Sequence, residues 1–346
     1  MARMKKSDGG MGGGGHGGGG GGGGGGMGGG CYVYPGSPST PGWTAPDVKF
    51  RRGIYMNGSM TMDDGNSVRI WGFTDLDAGG GMGGGGMMGG PFPSPAIRVR
   101  QGQIVHTELT VMGEMMLHTI HHHGIDPSWQ NDGVGHLSWD VDDTYTYQWR
   151  PAHAGTYFYH CHTNTVLHAE MGMYGALIVD PPSGPGRAFA NGPEYDVEVV
   201  WACDEIDSSW HDLEWDAGTC GGDVGLNRLD PDYFIITGVD GAQSALTAPG
   251  VAVQMTRGQR LLARYINAGY HPQRIHFGGL TATVVASDGR PLPQAVQATE
   301  LESHSAERYD CIFQPTEAGV YEVRVEFLHW ITLEVMGVAQ TRITVS

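Results

Sequence analysis

Short runs of alternating apolar and polar residues, separated by Gly, Pro, Asp and Asn, fill most of the chain after about residue 48. Alternation with a period of two predicts β-strands, and turn residues at regular spacing predict a sandwich or barrel. No segment has a convincing helical period. We expect an all-β fold, whose first strands cover residues 54–56, 67–73, 97–99, 104–112, 144–149, 156–160 and 176–179.

The same pattern resumes after a break rich in Pro and Gly at residues 181–186. Such a break predicts a linker between two domains of ordinary size. Strands are expected in the second domain at residues 197–201, 233–237, 251–255, 260–267, 282–286, 309–313, 319–326 and 340–345. We therefore place a first domain at 46–182, a linker at 183–193 and a second domain at 194–346.

The beginning of the chain does not show this alternation, because residues 7 to about 30 are almost pure glycine. A segment that buries no apolar area cannot offset its ordering entropy, so residues 1–45 are expected to form a disordered, low-complexity tail. A second glycine and methionine run, at 79–90, reads as a long loop of the first domain. Its methionines make it a candidate lid or metal-handling loop.

Charge narrows the classes of partner. The chain has 346 residues and a formal net charge of −17, which argues against nucleic acid and anionic membrane surfaces, since both require a basic face. No apolar run is long enough to span a bilayer. The basic start at 1–6 is followed by glycine where a signal peptide needs an apolar segment. A cytoplasmic location is the default expectation.

Two histidine-rich runs carry the candidate chemistry. In a strand ending at 162, His160 and His162 share one face while Cys161 points to the other. Together with His118, His168 and Met173, Cys161 supplies a thiolate, two imidazoles and a thioether, the donor set of a blue-copper electron-transfer centre. The same parity places His121 and His123 together, opposite His118. These residues predict two metal sites back to back.

These runs resemble those of multicopper oxidases. HTIHHHG at 118–124 is similar to the family's HxxHxHG run, and HCHTNTVLHAEMGM at 160–173 is similar to its closing HCH…HxxxxM run. The resemblance implies two cupredoxin-like Greek-key domains and an enzyme that takes single electrons from a small reductant and reduces O2. It also implies copper ligands: His118, Cys161, His168 and Met173 for a type 1 copper, and His121, His123, His160 and His162 for half of a type 2/type 3 site.

The second domain departs from this family pattern. Phe327-Leu328-His329-Trp330 stands where the family has HCH, so no second type 1 centre is expected there. The resemblance implies that His329 reaches the type 2 copper of a neighbouring subunit, as in copper nitrite reductases, and hence a homotrimer. That family is the alternative: His276 then takes the place of its active-site histidine, and His121 that of its catalytic aspartate. A non-catalytic copper or electron-transfer protein also stays open.

Overall fold

The structure is a computed structural model, and it describes residues 44–78, 90–111, 117–134, 140–219 and 221–346. The expected tail, apart from its last two residues, lies outside the described part of the chain. The same holds for the glycine and methionine run at 79–90, apart from Gly90. The roles predicted for these two segments therefore stay predictions.

The first half of the described chain contains eight strands and a short α-helix. Their bounds are β1 Val48–Thr61, β2 Ser67–Asp75, β3 Ile97–Arg100, β4 Val105–Thr110, β5 His121–His123, β6 Thr144–Trp149, β7 Gly155–His160, α1 Thr165–Glu170 and β8 Tyr174–Asp180. The strands form two sheets, in the orders β2-β1-β4-β6 and β3-β8-β7-β5. Side chains from both sheets meet in one apolar core, which we call the first core, around Trp71, Tyr147 and Leu177.

The second half repeats this architecture with longer sheets. Its strands are β9 Val197–Ile206, β10 Tyr233–Ile236, β11 Val239–Asp240, β12 Val253–Met255, β13 Leu261–Asn267, β14 Gln273–His276, β15 Ala282–Ser287, β16 Arg290–Ala298, β17 Glu300–Ser303, β18 Arg308–Phe313, β19 Gly319–Leu328 and β20 Val335–Val345. They form sheets in the orders β11-β10-β9-β13-β18-β15-β16 and β12-β20-β19-β14-β17. A second core lies between these sheets, around Trp201, Phe313 and Phe327.

The two halves meet through apolar clusters and through buried charge. One cluster joins Phe158 and Tyr174 of the first half to Ala202 and Ile266 of the second. The buried guanidinium of Arg264 lies nearby and contacts residues of both halves. Every strand pairing between named strands stays within one half. The apolar cluster and the contacts of Arg264 therefore hold the two halves together.

The expected all-β, cupredoxin-like fold is confirmed, with strands in every segment where the alternation predicted one. The structure adds the short helix α1, which six residues are too few to reveal by period. The domain boundaries and the cytoplasmic location stay predictions. Among the described residues, no helix is long and apolar enough to cross a membrane.

Candidate metal centre

The first group of candidate ligands lies at the end of β7. Cys161 follows the last residue of β7, and its Sγ lies 3.3 Å from Nδ1 of His168 and 3.7 Å from Nδ1 of His118. His118 is held by a β-bridge to Val141, and His168 projects from α1. The three donor atoms lie within 4.8 Å of one another, close enough for one metal ion.

Burial sets the protonation of this group. Cys161, His118 and His168 are all fully buried. Burial raises the pKa of the Cys161 thiol to about 11 and lowers the pKa of His168 to about 4. The pKa of His118 is lowered well below its ordinary value for the same reason. At neutral pH the imidazoles are therefore uncharged, which is the form that binds a metal, and the thiol loses its proton when it binds one.

Met173 is tied to the same group by its backbone. Its peptide N–H donates to the carbonyl oxygen of His168, and its own carbonyl accepts from the N–H of Cys161 at 3.0 Å. The side chain of Met173 is fully buried. The turn after α1 thus keeps Met173 next to two of the donor residues.

A second group of imidazoles lies on one face of the sheet. Strand β5 runs antiparallel to β7, so that His121 lies opposite His160 and His123 lies opposite Phe158. Donor atoms of His121, His123 and His160 lie within 4.8 Å of one another. His162 stands beside them, with its ring centroid 5.4 Å from that of His121 and 5.7 Å from that of His160.

Hydrogen bonds at Nδ1 fix the orientation of two of these imidazole rings. Nδ1 of His121 donates to the carbonyl oxygen of Asp132 at 2.7 Å, and Nδ1 of His160 donates to the carbonyl oxygen of Cys161 at 2.8 Å. In both rings this leaves Nε2 as the metal-binding atom. Gly133 makes the first bond possible: its φ is +69°, and a Cβ there would lie 2.0 Å from the carbonyl oxygen of Ile120.

A phenylalanine supports the same group. The ring of Phe158 stacks on His123, with centroids 4.7 Å apart, and on His160, with centroids 5.3 Å apart. The guanidinium of Arg308 lies over the Phe158 ring, 6.0 Å from its centroid. Burial, with Arg308 as a smaller cause, lowers the pKa of His123 to about 3. The sequence pattern gives no sign of this role of Phe158, whose position opposite His123 is set by the register between β5 and β7.

Comparison with known families identifies this region. The family model described as "Multicopper oxidase" matches residues 81–184, which contain both donor groups. Residues 81–184 are a multicopper oxidase domain. The family resemblance seen in the sequence is therefore confirmed.

Two curated relatives are similar to different shares of the chain. L-ascorbate oxidase of Cucumis sativus is 41% identical over 120 residues, which cover 32% of this chain and 19% of that protein. Copper resistance protein A of Escherichia coli is 30% identical over 266 residues, 65% of this chain and 42% of that protein. The chain thus spans less than half the length of these two relatives.

Solved structures share the fold over nearly the whole chain. A blue copper oxidase from Nitrosomonas europaea is 24% identical with a TM-score of 0.68, and the match covers 86% of each chain. Copper nitrite reductase from Nitrosomonas europaea is 19% identical with a TM-score of 0.62, over 86% of this chain and 93% of that chain. At these identities the likeness concerns the fold alone.

Copper is the metal of this family, and the multicopper oxidase domain supplies donors that suit it. A buried thiol with two neutral imidazoles, beside a buried thioether, is a soft set that selects copper. Three further imidazoles whose donor atoms converge suit a second copper. The residues present therefore fit the cofactor.

The histidines predicted in the second half lie elsewhere within one chain. His276 ends β14, where its ring contacts Glu300 and Glu326. His329 follows β19, and its Nδ1 accepts from the N–H groups of Ile331 and Thr332. Among the described residues, neither belongs to a converging donor group of the single chain. Their predicted roles stay predictions.

The second half of the chain closes access to His168. The ring of His168 is fully buried. Its Nε2 donates to the carbonyl oxygen of Trp215 at 2.9 Å. Trp215 belongs to the second half, 47 residues further along the chain, so local sequence patterns gave no sign of this cover.

Proposed function

We propose that this protein is a copper-dependent oxidoreductase of the multicopper oxidase kind. It takes single electrons from a small reductant at a type 1 copper and reduces O2 at a second copper site. The observation that carries the proposal is the pair of donor groups joined through Cys161, whose covalent neighbour His160 belongs to the other group. Copper, when bound, supplies the one-electron chemistry by alternating between Cu(II) and Cu(I).

We assign the type 1 ligands to His118, Cys161, His168 and Met173. The support is the convergence of Sγ and the two Nδ1 atoms and the backbone tie of Met173 to Cys161. Full burial keeps water away from the thiolate, and a site held this rigidly by its own backbone needs little rearrangement when its charge changes.

We assign the second site to His121, His123, His160 and His162. Because His160 and His162 flank Cys161 in the sequence, a few covalent bonds separate the two donor groups. The carbonyl oxygens of Asp132 and Cys161 fix the rings of His121 and His160 with Nε2 towards the site. The chain thus provides both the path for electrons and the fixed imidazoles at its end.

The second site takes its remaining ligand from another copy of the chain. We propose that His329 supplies it within a homotrimer. In the single chain Nδ1 of His329 accepts from two backbone N–H groups, so Nε2 carries the proton of the neutral ring. Binding a neighbouring copy's metal through Nε2 requires the ring to give up these two bonds and to shift its proton. Trp330 and Ile331 beside it are 58% and 86% exposed, as expected of side chains that an adjacent copy covers. Closed cyclic symmetry satisfies such a head-to-tail contact.

The alternative is a copper nitrite reductase, favoured by the fold likeness and by His276 lying between two carboxylates. In that case His276 and His121 handle protons at the nitrite site. An imidazole at 121 that converges with two others suits metal binding better than proton transfer. We therefore favour O2 as the acceptor.

The test is copper content per chain, optical and EPR spectra, and then O2 uptake with 2,6-dimethoxyphenol on the same sample. We expect more than one copper per chain, an intense blue type 1 signal and O2 uptake that depends on the donor. Cys161→Ser should lose the blue signal and the uptake. Cys311→Ser, which alters another buried free thiol, should keep both.

Blue copper without O2 uptake contradicts the proposal. Formation of NO from nitrite under anaerobic electron supply then identifies a reductase, and the absence of any turnover identifies an electron-transfer protein.

A further inference from the structure

A segment of the second half covers the type 1 group. We call residues 207–219 the cover segment. Arg69, in β2, donates to the carbonyl oxygens of His211 and Leu213, and Nδ2 of Asn164 donates to those of Trp215 and Ala217 at 3.1 and 3.0 Å. These bonds hold the cover segment against the first core, where Trp215 and Ala217 also pack.

The cover segment closes the direct approach to His168. Nε2 of His168 donates to the carbonyl oxygen of Trp215, and a carbonyl oxygen can only accept. The single N–H of this neutral imidazole is thus already used, and the ring is fully buried. A reductant cannot form a hydrogen bond to the ring while the cover segment is in place.

A cavity of about 550 Å³ lies beside this contact. Its lining includes Asn164 and Val166 from the start of α1, Gly218 of the cover segment, and Leu226 and Asn227 beyond it. Asn164 therefore contacts both the cavity and the Trp215 carbonyl group that His168 binds. The volume lies in the range that accommodates a small organic ligand.

The lining also indicates the class of ligand. Aliphatic side chains and two amides face the cavity, and the one charged residue among those that line it, Asp223, is paired with Arg228. Such a surface favours an uncharged molecule with an apolar body.

We propose that this cavity binds the reductant as a small neutral aromatic molecule. The electron then enters through Asn164 and the Trp215 carbonyl group to His168, without contact between reductant and imidazole. This inference rests on the proposed function. A phenol bound here would lose one electron to the copper ion that His118, Cys161, His168 and Met173 would hold, and this ion would change from Cu(II) to Cu(I). The hydroxyl proton of the phenol would go to water, and the phenoxyl radical would leave.

Leu226→Trp, which fills the cavity, tests this proposal against Val296→Trp, which places the same side chain at an exposed position of β16. Under anaerobic conditions, stopped-flow mixing with 2,6-dimethoxyphenol follows bleaching of the blue band. We expect Leu226→Trp to lower the second-order rate by about tenfold or more. Reoxidation of the reduced enzyme by O2 should be unchanged, because it uses the other site. Val296→Trp should match the wild type in both.

A second readout needs no copper. Binding of 4-fluoroanisole, which has no phenolic proton, is followed by ¹⁹F NMR on the copper-free chain. We expect binding by the wild type and by Val296→Trp, and its loss in Leu226→Trp. Asn164→Gly removes the amide but permits the φ of +42° at this position. It should keep the blue band and slow bleaching more than it weakens binding of the probe.

Two outcomes overturn the inference: bleaching of Leu226→Trp at the wild-type rate, or no binding of the probe by the wild type. Its failure is distinguishable from that of the proposed function. If phenol bleaches the wild type and Leu226→Trp is slow, but O2 never restores the blue band, the cavity stands and the oxidase proposal fails. If bleaching is equal in all variants and reoxidation is normal, the oxidase proposal stands and the cavity does not bind the reductant.

Discussion

The face of the sheet that carries His121, His123 and His160 owes its order to one aromatic side chain. Phe158 stacks on His123 and His160 and is covered by the guanidinium of Arg308 from the second half. An aromatic pair of this kind contributes about 1 kcal/mol beyond its buried area. Phe158 therefore fixes the angle at which two imidazoles face the second site.

Phe158→Leu keeps an apolar side chain but removes this stacking. We expect an altered EPR spectrum of the second copper and an unchanged blue band, because Cys161 points away from this face. Phe73→Leu is the matched control, since Phe73 is equally aromatic and packs on Tyr159 in the first core, away from the stacked rings of His123 and His160. Identical second-site spectra in the wild type and Phe158→Leu would show that stacking does not orient the rings.

At the scale of single residues, strand parity predicted most of the candidate site. It separated Cys161 from His160, and the structure places them in different donor groups. It could not predict what lies across the sheet or over α1. The position of Phe158 opposite His123 depends on the register between β5 and β7. The carbonyl group that covers His168 belongs to Trp215. Both contacts join residues that are distant in sequence.

At the scale of elements, α1 carries more than His168. Its last residue, Glu170, and the adjacent β9 residues Asp204 and Glu205 are all buried, and each has one carboxylate oxygen without a hydrogen-bond partner. Burial is the largest cause of a pKa of Asp204 well above its ordinary value, and the charges of Glu205 and Glu170 raise that pKa further. Burial likewise raises the pKa of Glu170.

This burial makes a prediction about pH. A carboxyl group whose pKa is raised by folding holds its proton in the native state and loses it on unfolding. Its contribution to stability is therefore complete below the ordinary Asp pKa, about 4, and is lost as the pH rises towards the raised pKa. For Asp204 the free energy of unfolding should fall with rising pH by up to about 1.4 kcal/mol per unit.

Asp204→Asn keeps the shape of the side chain and removes its titratable proton. We expect urea titrations between pH 5 and pH 8 to show a smaller decrease in unfolding free energy for Asp204→Asn than for the wild type. Asp126→Asn changes a side chain that is 89% exposed and should follow the wild type. Parallel curves for Asp204→Asn and the wild type would mean that Asp204 is ionised in the folded protein.

Alternation predicted the elements themselves because each strand buries one face. It missed β11, of two residues, and β14 and β17, of four residues each, and it missed β16, whose residues are largely exposed and carry little pattern. It also missed α1, whose six residues do not complete two turns. Short or exposed elements depend on their neighbours more than on their own pattern.

At the scale of the whole molecule, buried charge joins the two halves. Nε of Arg264 bonds to Glu198 at 2.7 Å, and Nη1 bonds to Thr156 of β7 at 3.1 Å and lies 3.4 Å from Asp310. Arg264→Met should leave the buried carboxylate of Asp310 without its counter-charge, while Glu198 keeps its pair with Arg98, and should cost about 3–5 kcal/mol of unfolding free energy. Urea denaturation measures this.

The control for Arg264 is Arg228→Met, which breaks an exposed pair with Asp223 and should cost less than about 1 kcal/mol. Similar losses in both variants would contradict the view that the Arg264 contacts hold the halves together. The sequence contained these charges, but their partners lie 46 to 108 residues apart, so their pairing could not be inferred from spacing.

The proposed trimer places Ile331 in a contact between neighbouring chains. Ile331 is 86% exposed and adjoins Trp330 and His329, so a neighbouring copy that receives His329 must also cover it. Ile331→Asp places a carboxylate in that contact, where burial without a partner is costly. Sedimentation velocity should show the wild type at three times the chain mass and Ile331→Asp as a monomer. The variant should keep its blue band but lose the wild-type EPR signature of the second copper, because that site then lacks the neighbour's His329.

Val296→Asp, at an exposed position of β16, should stay trimeric. A monomeric wild type would contradict the shared site. A trimeric Ile331→Asp would show that the contact between chains lies outside this segment.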